Sequence, residues 1–239
     1  MKVIHLEASQ ELQAAKNAMF RSLVTLFICY LLSVVPVVGL IASVAMLVAT
    51  VWYFIGVYKF SKLTNSSLFQ SHMFMVLITL GFMLVLAMII VVATQGEVEA
   101  FFIGVVGVVY IIDILLVIWL FWKICTEFSA LTNLRQFMIA FKFYIGSFFL
   151  SVIGIVMMLM AIDLSLMISI FKEALAQESS YMSQIDTLVI NSSLVYVSLL
   201  IFALTLVSTI LSFVFYLLGI AKITNVSVKE QRPKSDSVQ

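Results

Sequence analysis

Asp113 is the residue whose type and place could do chemistry. It lies in an apolar run from Ala100 to Trp122, nine residues before the run's basic end. At ~1.5 Å per helical residue that puts it roughly 14 Å deep if the run spans a bilayer. A carboxylate near the bilayer centre costs at least ~2.5 kcal/mol even on permissive scales, so it must face other helices or water. Two hydroxyls stand at comparable positions in other runs. Thr50 is 15 residues before Asn65, Thr209 is 16 before Asn225, and Asp113 is 20 before Asn133, in a copy that carries about one extra helical turn. Tyr110 and Ser212, one turn away, could join the set. Two readings follow: a proton or ion site inside a bundle, or a protonated Asp113 hydrogen-bonded to hydroxyls and holding helices together. A second acid at that depth is missing, since Asp163 falls near the outer end of its run, within reach of Asn191 or the interface.

No other constellation carries chemistry. His5 and His72 have no Cys or His at ligand spacing. There is no phosphate-cradling glycine loop, nucleophile elbow or pair of carboxylates at a common depth. Cys29 and Cys125 read as free thiols, too few for a redox or metal motif. The expectation is a chain with no catalytic residue, no cofactor and no metal.

The elements that would hold Asp113 are apolar helices. Hydrophobic residues make up 64% of the 239 residues and charged ones 10%, whereas soluble domains have about 25% charged residues. No soluble fold of this length could hide so much apolar surface, so the bilayer is the solvent. Net charge is +1, without a nucleic-acid signature. A span needs ~20 apolar residues, and six fit: about 21–36, 40–60, 73–94, 100–122, 142–170 and 188–221. Pro36-Val37-Val38-Gly39 separates the first two. Residues 1–20 carry a stripe of Ala8, Leu12, Ala15 and Met19, which predicts a short amphipathic helix on the membrane surface or a solvated lead-in. Residues 226–239 are polar and read as a disordered tail. In the last run Asn191, Ser198, Thr205 and Ser212 recur every seven residues, a small polar face suited to close helix packing.

Three of these runs end alike: Ser61-Lys62-Leu63-Thr64-Asn65, Ser129-Ala130-Leu131-Thr132-Asn133 and Ala221-Lys222-Ile223-Thr224-Asn225. The first two are followed at one offset by Phe69 and Phe137. Asn tolerates the left-handed conformation that caps helix C-termini, so Asn65, Asn133 and Asn225 are expected as helix caps. The fold class is therefore all-α, a polytopic transmembrane bundle of six spans in three hairpins. The run Ile55-Gly56-Val57-Tyr58-Lys59-Phe60-Ser61-Lys62-Leu63-Thr64, and more loosely Leu218-Gly219-Ile220-Ala221-Lys222, resembles the helix ends of uncharacterised prokaryotic membrane-protein families built of repeated helical hairpins. That resemblance implies a small polytopic membrane protein and carries over no active-site residue.

Twelve of the 13 Lys and Arg residues fall on one side of this topology, leaving Lys172 with Glu97, Glu99, Glu173, Glu178 and Asp186 on the other. The positive-inside rule then makes both termini cytoplasmic, and the resemblance to prokaryotic families implies a bacterial inner membrane. Trp52, Tyr53, Tyr58, Trp119 and Trp122 cluster near the basic ends, as an interfacial aromatic belt would. The expected partners are the lipid bilayer and either a second copy or another membrane protein, with no nucleic acid. The function classes left open are a non-enzymatic subunit, scaffold or accessory, and a small transporter or channel using Asp113.

Overall fold

A computed structural model describes residues 2–5, 9–33, 35–94, 100–161 and 192–228. In chain order the elements are β1 (Lys2–His5), α1 (Gln10–Leu32), α2 (Pro36–Thr64), α3 (Leu68–Thr94), α4 (Ala100–Thr132), α5 (Gln136–Ala161), α6 (Ser192–Ala221) and β2 (Asn225–Val228). All six helices among the described residues are long and apolar enough to cross a membrane, and the chain is an integral membrane protein. Asp163, Asn191, the acidic 95–99 stretch, the 171–187 polar stretch and the end of the tail lie outside the described residues.

Residues 10–20, expected either as a surface helix or as a solvated lead-in to the first span, are the first half of α1. Ser9 starts the helix by accepting the Leu12 N–H on its hydroxyl, satisfying one of the orphan donors of a helix start. The apolar stripe then has a protein partner: Leu12, Ala15 and Met19 are buried. A Cβ on Gly56 of α2 would come within 2.8 Å of the Met19 side chain and 3.2 Å of the Ala15 carbonyl, so the two helices pass almost in backbone contact. The break between them also differs from the expected one. Pro36 opens α2 instead of ending α1. Its fixed φ suits the first helical turn, where its missing N–H costs nothing. Gly39 lies within the first turn of α2 and donates to the Val35 carbonyl.

The helices run past the expected spans at their basic ends. Lys59, Lys62 and Lys123 stop a hydropathy count, but they do not stop a helix whose other face is buried. Phe60, Ile124, Phe128 and Leu131 are almost fully enclosed, while Lys59 and Lys62 are exposed. The stop comes at the Thr-Asn pairs. Asn65 has φ 49° and ψ 49°, left-handed, and its N–H reaches back towards Lys62 while the Ser66 N–H bonds the Ser61 carbonyl. Those paired bonds are a Schellman closure. Asn133 also has a positive φ, 56°. Asn225 does not cap a helix: it is the first residue of β2. Part of the expected disordered tail is therefore ordered, because β2 pairs antiparallel with β1, with Lys2 opposite Val228 and His5 opposite Asn225.

The chain divides into two compact units, residues 1–74, 120–141 and 213–239 in one, 75–119 and 142–212 in the other. Among the described residues, every large side chain that is fully buried belongs to the first unit; Phe60, Phe128, Phe137, Met19, Ile220 and Val226 are examples. The Phe128 ring stacks on Phe137 at 4.8 Å and lies 5.5 Å from Phe60. In the second unit the buried residues are small: Ser147, Ser198, Ser212 and Gly154. Large residues such as Leu77, Leu84, Leu200 and Leu204 point outward. Small residues inside and large ones outside is the packing of helices in lipid, where backbones gain by close approach and apolar side chains lose nothing by exposure.

Candidate functional site

The residues expected around Asp113 divide between the units. Thr50 belongs to the first; Asp113, Tyr110, Thr209 and Ser212 belong to the second. The Thr50 hydroxyl donates to the Met46 carbonyl at 2.7 Å and the Thr209 hydroxyl to the Thr205 carbonyl at 2.9 Å, each one turn back in its own helix. Their protons are thus committed to backbone. Tyr110 is half exposed, with its ring 5.4 Å from Phe82. Ser212 is buried. The Asp113 Oδ1 is shut off from the surface and has no hydrogen-bond partner among the described residues. Tyr144, from α5, lies within electrostatic reach of the Asp113 carboxyl.

The polar face of α6 is in contact with α5. Ser208 donates to the Phe143 carbonyl at 2.9 Å, and its hydroxyl is 3.8 Å from where a Cβ on Gly146 would stand. Ser198 is fully buried, against the Met158 sulfur and its own Val195 carbonyl. Gly154 meets Phe202 and Ile201, and a Cβ there would stand 3.1 Å from the Phe202 ring.

The most developed polar cluster lies in the first unit and joins Tyr53 of α2, His72 of α3 and Tyr216 of α6. Tyr53 Oη is 2.9 Å from His72 Nε2 and 3.0 Å from Tyr216 Oη, and all three residues are buried. His72 Nδ1 is 2.8 Å from the Leu68 carbonyl. A carbonyl can only accept, so Nδ1 carries a proton. In the neutral ring Nε2 is then an acceptor, Tyr53 donates to it, and Tyr216 donates to Tyr53. Every link is satisfied without a charge. Phe128 and Phe137 wall the cluster, their ring centroids 5.9 and 5.6 Å from that of Tyr216. Sequence reasoning placed Tyr53 in the aromatic belt; Trp52, Tyr58, Trp119 and Trp122 are exposed as a belt requires, but Tyr53 is not. The overlooked signal was phase: Tyr53 is four residues before Val57 and seven before Phe60, on the face that the core occupies.

Beside the cluster, Glu127 of α4 accepts the Ser67 N–H at 2.9 Å and the Ser67 hydroxyl at 2.8 Å, just ahead of α3. A carboxylate there answers both the free N–H groups and the positive end of the helix dipole. Lys16 donates to the Ile223 carbonyl at 2.9 Å, tying α1 to the segment that leads into β2. Cys29 and Cys125 are free and buried. Among the described residues no three His, Cys, Asp or Glu side chains come together as a metal site would need. No protein-family model, curated protein or solved structure matches the chain.

Proposed function

We propose that this protein is a non-enzymatic membrane component that works through helix packing, as a subunit, scaffold or accessory of an assembly made with copies of itself or with another membrane protein. One observation carries the reading: among the described residues, every buried side-chain polar atom except Asp113 Oδ1 and Ser71 Oγ has a protein partner. Thr50 and Thr209 bond their own helices, Ser208 bonds α5, and the Tyr53–His72–Tyr216 cluster closes on itself. Identifying what co-purifies with the full chain in mild detergent is the direct test. Recovery of a pure monomer at native expression, after crosslinking in the membrane, would count against it.

A second reading has its own observation. Asp113 Oδ1 is buried and unpartnered among the described residues, as a group that takes up a proton or ion would be. Asp113→Asn keeps most hydrogen-bonding capacity but cannot titrate, and Asp113→Leu keeps neither. Intramembrane hydrogen bonds average only ~0.6 kcal/mol, so both variants should fold. Full rescue of a deletion strain by Asp113→Asn makes Asp113 glue. Equal failure of two folded variants makes it a working carboxyl.

The same proposal includes the topology: three helical hairpins, each closed by a Thr-Asn repeat, with both termini cytoplasmic in a bacterial inner membrane. The charge asymmetry supports it, and so does the β1–β2 pairing, because termini that pair across four residues belong on one side. Cysteines at Glu97 and Ser179 should label from outside, and ones at Asn65 and Asn133 only from inside. Burial of Cys29 and Cys125 keeps the background low. Outside labelling of Asn65→Cys would sink the six-span topology.

A further inference from the structure

The outer face where α1 meets α2 carries two adjoining hollows of opposite chemistry. One, of about 340 Å³, is lined by Asn17 and Arg21 from α1 and by Trp52, Ile55 and Lys59 from α2. Among the described residues no acidic side chain lines it. Arg21, Lys59 and Asn17 make no side-chain hydrogen bond or ion pair with any described residue. Two cations and an amide donor therefore converge on a space whose described lining carries no compensating charge. The other hollow, of about 520 Å³, is a trough along α2 formed by Leu47, Val48, Val51, Trp52 and Ile55. Trp52 and Ile55 belong to both, so the cationic hollow adjoins the apolar one along α2.

From this we infer a binding site for one anionic phospholipid. The headgroup phosphate sits between Arg21 and Lys59, and an acyl chain lies in the trough. From Lys59 back to Leu47 the helix rises about 18 Å at ~1.5 Å per residue, slightly more than half of the ~30 Å hydrocarbon core and so about one leaflet deep. Arg21 and Lys59 are the basic residues that bound the first two apolar runs, which sets the cationic end at headgroup level. Trp52 supplies the amphipathic ring that belongs at that boundary. Charge complementarity selects an anionic over a zwitterionic headgroup, and the trough selects a lipid over a free phosphate. A lipid held there is compatible with a scaffold and with a transporter alike.

Trp52 is also a reporter. Replacing Trp119 and Trp122 by Phe leaves it as the sole tryptophan of the three. The full chain is reconstituted in phosphatidylcholine vesicles containing either phosphatidylglycerol or phosphatidylcholine with brominated acyl chains, at matched mole fractions. A basic side chain at an anionic surface is worth about fivefold in association. Brominated phosphatidylglycerol should therefore half-quench Trp52 at a mole fraction about 25-fold lower than brominated phosphatidylcholine. Arg21→Gln with Lys59→Gln should bring the two curves together. Arg21→Lys with Lys59→Arg should keep them apart, and so should Lys62→Gln, which lies outside the hollow. Circular dichroism confirms that each variant is folded. Coincident curves in the parent, an unchanged preference in the double-Gln variant, an equal loss in Lys62→Gln, or displacement by millimolar inorganic phosphate would each overturn the assignment.

Discussion

Replacing Tyr53 by Phe removes one oxygen from the middle of a three-member chain. In the structure that oxygen gives its proton to His72 Nε2 at 2.9 Å and takes one from Tyr216 at 3.0 Å. The ring stays, so packing against Phe54 and His72 is kept and the loss is purely one of hydrogen bonding. His72 cannot turn away to find another donor, because Nδ1 is anchored to the Leu68 carbonyl. Two outcomes bound the cost. If Tyr216, already 3.4 Å from Nε2, swings in and donates directly, one hydrogen bond is lost, about 0.6 kcal/mol on the membrane average. If the Phe128 and Phe137 rings hold Tyr216 in place, a buried acceptor is left bare, at about 1–3 kcal/mol. The packing of those rings favours the second outcome, so we expect about 1–2 kcal/mol. Tyr216→Phe should cost less, since Tyr53 still serves His72 and only one acceptor lone pair goes unfilled. The double variant should fall short of the sum by about 0.5 kcal/mol or more, the signature of residues in one network. Equilibrium unfolding in mixed micelles, or thermal melting in detergent at about 2–4 °C per kcal/mol for a chain of this size, measures all three. Tyr53→Phe as stable as the parent, or Tyr216→Phe the more damaging, would refute the donor order derived from the Leu68 carbonyl.

Glycine substitutions should separate contact from composition. Gly56→Ala drives a methyl into Met19 and should cost about 1–3 kcal/mol. Gly81→Ala meets nothing within 4 Å and should be neutral or gain about 0.5–1 kcal/mol from helix propensity; melting both variants in one detergent checks the contrast. At the first repeat, Asn65→Gly keeps the left-handed turn, whereas Asn65→Val forces a β-branched residue to a φ of 49° and should cost about 1–3 kcal/mol more, read by the same melts. Glu127→Ala leaves the Ser67 N–H without its acceptor and should lose about 1.5–3 kcal/mol. Glu127→Gln keeps that acceptor and should lose less, a ranking that proteolysis of the turn between α2 and α3 also reports.

What the amino-acid order determined by itself is whatever a helix can decide without neighbours. Runs of some twenty apolar residues have one stable form in lipid, because only a helix satisfies its own backbone there. Six helices followed from that rule. The stops at Asn65 and Asn133 were legible because an asparagine accepts positive φ wherever the chain must turn. The small face of α6 was legible from its seven-residue period, since Ser198 and Ser212 share one side of any helix.

Tertiary structure decided the rest. Hydropathy ends a span at Lys59 or Lys123, but α2 and α4 continue to Thr64 and Thr132 because Phe60, Phe128 and Leu131 find a core on the opposite face. The stripe on residues 10–20 called for an apolar surface without saying which, and Gly56 made that surface α2 instead of lipid. Tyr53 read as interfacial and His72 as idle, because the bond that gives Tyr53 its role joins it to Tyr216, 163 positions away. Asn225 matched the repeat letter for letter at its Thr-Asn and still opened a strand, because β1, from the other end of the chain, was there to pair with it. Composition and period are properties of one segment; which surface a segment buries, and which hydroxyl meets which nitrogen, depend on segments far off in the chain, and those meet only when it has folded.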